Sequence, residues 1–130
     1  DCNPRNFALK NENLCLYDWE LATIHLPQRD LAEALVFLLP ANVSAKELQH
    51  YINYHKQIIE KKIGKKLNSK ELDQGFDLAL MDFGITRLLL YLMAQSFRHY
   101  HFMERINNTF FHLLKLRRCH EKYWHNCKWR

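Results

Sequence analysis

With three glycines and three prolines in 130 residues, this chain holds too few turn-formers to build a sandwich or barrel of many short strands. What it has instead is a helical period. Apolar residues recur every three or four positions through most of the stretch from Leu31 to Leu114, the spacing that puts them on one face of a helix. The length suits one hydrophobic core and is too short for two. These features predict an all-α fold in which residues 1–130 form a single domain. A helical bundle of about four helices (27–130) follows an irregular N-terminal arm (1–26).

Local signals place the helices. Pro27 fits the first turn of a helix, where its missing N–H costs nothing. Leu31, Ala34, Leu35, Leu38 and Leu39 follow at helical spacing until Pro40 stops the run, predicting a helix near Gln28–Leu39. That segment is apolar almost all round after Glu33 and is expected deep in the core. Ser44-Ala45-Lys46-Glu47 has the form of a capping box and opens a helix over Ala45–Ile63 that Gly64 closes. Lys61, Lys62, Lys65 and Lys66 gather at its far end and complement the helix dipole, so they read as a solvated helix end, not a phosphate site. Asn68, with Glu71 three residues on, caps a third helix over Ser69–Phe83. From Ile85 the period runs on through Leu88, Leu89, Leu92, Met93, Ser96, Tyr100, Met103, Ile106, Phe110, Leu113 and Leu114. It predicts one long helix over Ile85–His120, with a break or kink at Gly84 and an interruption only if Asn107-Asn108-Thr109 makes one. In the arm, Asn3, Pro4, Asn6, Asn11 and Asn13 break any period, while Leu14, Leu16, Trp19 and Leu21 offer anchors.

Cys2 and Cys15 lie at one end of the chain, Cys119 and Cys127 at the other. Four cysteines suit a disulfide framework in an oxidising compartment. On a continuous helix Cys119 and Cys127 would be separated by a rise of ~12 Å, whereas a disulfide needs Cα atoms within ~4.4–6.8 Å. Each is therefore expected to reach an N-terminal cysteine and tie down the arm, with local Cys2–Cys15 pairing or a fold-back of the terminal segment as alternatives. The chain starts at Asp1 and not at Met. It also carries two sequons, at Asn42 and Asn107, that are glycosylation acceptors in a eukaryotic secretory route. The expectation is a secreted or extracytoplasmic protein (extracellular, luminal or periplasmic) with its signal peptide removed. No apolar run approaches the ~18 residues of a membrane span.

Charge is uneven. Residues 1–86 carry ten Lys/Arg against twelve Asp/Glu, giving −2, and residues 87–130 carry nine against two, giving +7. The basic end is where an acidic partner would bind. In the terminal stretch, Trp129 interleaves with Arg117, Arg118, Lys122, Lys128 and Arg130, a mixture enriched where binding energy concentrates at protein interfaces. These six residues are the expected partner contact. Trp124 is expected to pack on the cysteines and the arm. The same mixture can stack bases and hold phosphates, which keeps nucleic acid or another polyanion open as a partner.

No catalytic motif is present: there is no G-x-S-x-G, no H-E-x-x-H and no Gly-rich phosphate loop. The letters Asp82-Phe83-Gly84 match a kinase triplet without any of its companions. Cys119, His120, His125 and Cys127 are capable zinc ligands, but they lack the C-x2-C or H-x3-H spacing of a zinc site. No cofactor or metal is expected. In architecture and compartment the expected bundle resembles the short-chain helical cytokines, and the resemblance implies a secreted, non-enzymatic receptor ligand. A bacterial periplasmic immunity or inhibitor protein that neutralises a toxin or hydrolase is the alternative. A small metal-dependent enzyme built on the terminal His/Cys cluster is the second alternative.

Overall fold

Five α-helices and one β-hairpin make up the described part of the chain, residues 6–17 and 24–118 of a computed structural model. After β1 (Phe7–Lys10) and β2 (Asn13–Leu16) come α1 (Pro27–Leu38), α2 (Ala45–Ile63), α3 (Ser69–Phe83), a π-helical turn (Gly84–Leu88), α4 (Leu89–Gln95) and α5 (Met103–Arg118). The helical signals in the sequence translate directly. Pro27 stands at the first turn of α1, the Ser44 hydroxyl accepts from the Glu47 N–H at 3.1 Å, and Asn68 caps α3 through the Lys70 N–H at 2.9 Å. Gly64 closes α2 in the left-handed region at φ 66°, where a side chain would be strained.

α1 lies along α3 and α5, and α2 packs on α3. Between them sits a core of Val36, Leu48, Ile52, Phe76, Leu80, Ile106 and Leu113, each at most 2% exposed. The end of α1 is completed from a distance. Its last turn carries no basic residue, and its free carbonyls meet one face of α5 instead. Arg105 Nη1 donates to Phe37 O at 2.8 Å, and Thr109 Oγ1 donates to Leu39 O at 3.2 Å. His112 Nε2 lies 2.7 Å from Val43 O and must carry its proton there to donate. Positions 105, 109 and 112 share a helix face, so one stripe of α5 supplies the donors that the α1 terminus lacks.

Three expectations change. The stretch read as an irregular arm contains the hairpin, paired from Phe7 with Leu16 to Lys10 with Asn13. Asn11 and Glu12 turn the chain at positive φ, the geometry of a two-residue hairpin turn. The disulfide tie is not formed at Cys15, which is a free, half-buried thiol on β2; Cys2, Cys119 and Cys127 lie outside the described residues. The long helix over Ile85–His120 is two helices. It breaks at 96–102, and Asn107-Asn108-Thr109 runs unbroken through α5. The Ser96, Phe97 and Arg98 N–H groups all bond back to Met93 or Ala94 carbonyls, closing α4 tightly. Folding back at this point buries Met103, Ile106, Phe110 and Leu113 against the bundle; a straight helix would have carried them into solvent. Tertiary burial overrides a local pattern that permits continuation.

Gly84 does not break the rod. It stays in the right-handed helical region, and α3 passes through the π turn into α4 without a gap. Its role is to make room: a Cβ there would stand 2.5 Å from Phe110 Cζ, so the bare backbone seats the α5 ring. Gly84→Ala is expected to destabilise the fold by about 1–3 kcal/mol, the range for forcing extra atoms into a packed core. Urea unfolding measures it, and the same substitution in a Phe110→Leu background should cost less because the clashing ring is gone.

A candidate contact face on α4

The π turn decides which side of α4 faces out. Upstream, Leu72, Gly75, Phe76, Ala79, Leu80 and Phe83 keep a regular inward spacing. A π turn adds one residue to the count, so the next inward positions are Leu88, which is buried, then Tyr91, Ala94 and Gln95, which are half-buried. What remains outside is mostly apolar, with Thr86 and Ser96 as its polar members. Ile85, Leu89, Leu90, Leu92, Met93 and Phe97 cover nearly half the helix circumference, with exposures from 40% at Leu92 to 92% at Phe97. A helix that is apolar all round belongs in an interior, and α4 buries one side only. Contiguous exposed apolar surface of this kind marks a contact site. Residues 88–97 carry no formal charge.

Ion pairs hold the rod behind this face. Arg29 Nε lies 3.3 Å from Asp82 Oδ2, and Arg87 Nε lies 3.9 Å from the buried Glu33 carboxylate. Both join α1 to the α3–α4 rod. Beyond the face, His99 and His101 do not point to opposite sides as a continuous helix would require. Both are exposed in the 96–102 turn, their rings edge to face at 4.9 Å.

The expected partner contacts fall elsewhere. Arg117 turns inward: its side chain is 10% exposed and grips Asp77 with two bonds, at 2.5 and 3.1 Å. It also reaches Gln49 Oε1 at 3.3 Å and stacks 5.8 Å from the Phe76 ring. A guanidinium held this way ties α5 to α2 and α3. Arg118 is the last helical residue of α5. Lys122, Lys128, Trp129 and Arg130 lie outside the described residues, as do the potential metal ligands Cys119, His120, His125 and Cys127. Among the described residues no group of three His, Cys, Asp or Glu side chains converges, and no helix is long and apolar enough to cross a membrane. Of the sequons, Asn42 is exposed in the α1–α2 loop. Asn107 is half-buried within α5, and its Thr109 is fully buried against Leu39 O.

Of the lysines at the end of α2, Lys61, Lys65 and Lys66 line a hollow of about 310 Å³ with Gln57, Glu60 and Gly64. Glu60 organises that end. It accepts the Leu67 N–H at 2.8 Å and lies 3.7 Å from Lys56 and 3.6 Å from Lys66. The backbone bond, followed by the two lysines, holds its pKa below the ordinary 4.5. The negative end of the helix dipole and this carboxylate both disfavour an anion in the hollow.

Sequence periodicity missed the α4 face because it assigned Leu89, Leu92 and Met93 to the core stripe. The available signal was an excess: Leu88 to Ala94 is unbroken apolar sequence, more than one buried side can use. Two outcomes are expected. Arg117→Met should lower stability by about 1–3 kcal/mol in urea unfolding, the cost of stripping a charged hydrogen-bond partner from its acceptors; an outward-facing arginine would leave stability unchanged. Because the folded-state pKa of Glu60 is depressed, its contribution is present above pH 4.5 and is lost as pH falls through the lowered value. Glu60→Gln should therefore flatten the acid limb of a stability–pH curve.

No protein-family model matches the chain, and neither does any curated protein or solved structure; the meaning of the α4 face rests on its own chemistry.

Proposed function

We propose that this chain is a non-enzymatic binding protein that works outside the cytosol through protein–protein contact, with the exposed face of α4 as its principal contact surface. One observation carries the reading: six large apolar side chains stand in solvent on a charge-free helix face. Exposing them costs solubility, and a partner recovers that cost by covering them. The Arg29–Asp82 and Glu33–Arg87 pairs join the segment leading into α4 to α1. A sequon in an exposed loop supports the compartment.

The test is retention of partner protein on immobilised chain, comparing wild type with a Leu90→Glu/Met93→Glu double variant whose helicity is unchanged. The expected outcome is a partner held by wild type and released by the variant. Equal retention by both would overturn α4 as the contact.

A further inference from the structure

We infer that the α4 face pairs with the same face of a second copy of this chain, forming a two-fold symmetric dimer. The inference rests on reading α4 as a protein contact and names its partner. Area comes first. The six residues are 40–92% exposed, together at most roughly 700 Å² per copy, so a symmetric pairing that covered them completely would remove at most roughly 1,400 Å², in the lower part of the ~1,200–2,000 Å² typical of specific interfaces.

Charge comes second. A two-fold interface sets every residue near its own symmetry mate, so any charge on the face would meet its like. Between Arg87 and Arg98 there is none. Arg87 turns toward Glu33, and Arg98 lies beside the Tyr100 ring, 5.8 Å from its centroid. Each copy carries a net charge of +5, so two copies repel at long range, a repulsion that salt screens, and the pairing face adds no like-charge contact to it.

Shape comes third. Antiparallel pairing of α4 at the level of Tyr91 sets Leu89 opposite Met93 and Leu90 opposite Leu92. A membrane surface would draw on cations around the apolar face, and here Arg87 is already engaged behind it.

Sedimentation of the full chain between about 1 and 100 µM tests this, with covalent dimers checked by non-reducing electrophoresis. The expected result is a non-covalent species of twice 15.8 kDa. Leu90→Glu or Met93→Glu should raise its dissociation constant at least about 100-fold, because symmetry counts each change twice. Leu9→Glu, at an exposed leucine of the hairpin, should leave the dimer intact, with circular dichroism showing all three variants folded. A monomer at 100 µM, or a dimer indifferent to Leu90 and Met93, overturns the pairing. So does a monomer that binds phosphatidylserine vesicles through those two residues. A monomer that still retains another protein through them overturns the pairing alone and leaves α4 as a protein contact; loss of that dependence as well defeats both.

Discussion

α5 completes what α1 cannot finish. The carbonyls of Phe37, Leu39 and Val43 face a side of the bundle where water is scarce, and buried acceptors without donors cost about 1–3 kcal/mol each. Arg105, Thr109 and His112 reach all three from successive turns of one helix. The same helix inserts Phe110 against the bare backbone of Gly84 and carries Arg117 to Asp77. Each contact joins α5 to a different segment: the end of α1, the π turn and the middle of α3. α1 and α3 pack on each other, and α5 closes the side of the core that they leave open.

Much of this fold was legible in the sequence, and the parts that were not share a cause. The bounds of α2 and α3 follow from Ser44, Gly64, Asn68 and an amphipathic period, all local signals read within a few residues. The hairpin was obscured because Asn11 and Asn13 register as period-breakers, although Asn11 is the turn residue itself and Phe7, Leu9, Leu14 and Leu16 alternate around it. The break at 96–102 has no glycine or proline to announce it. It exists because Met103, Ile106, Phe110 and Leu113 are worth more against the core than in line with α4, and no local pattern encodes that comparison. The π turn is equally silent: Gly84 signals an irregularity, and only packing against Phe110 determines that the helix widens there.

Site residues divide along the same line. Composition pointed to the basic terminus, and the one arginine there whose side chain is described serves the interior. The surface that stands out physically is neutral and greasy, and periodicity had counted half of it as core. Arginine is suited to both roles, since its planar fork grips carboxylates as well inside a protein as at an interface. Only the position of Asp77 and Gln49 decides between them.

The donors that finish α1 come from 68 to 70 residues further along the chain. During synthesis, then, the first helix is made early but stays open at its end until α5 has left the ribosome. Contacts this distant in sequence slow folding, because a long loop must close before any of them forms. Until that moment the nascent chain carries exposed apolar surface on α1 and α3 as well as on α4, and it depends on its surroundings to keep those surfaces from meeting the wrong neighbour.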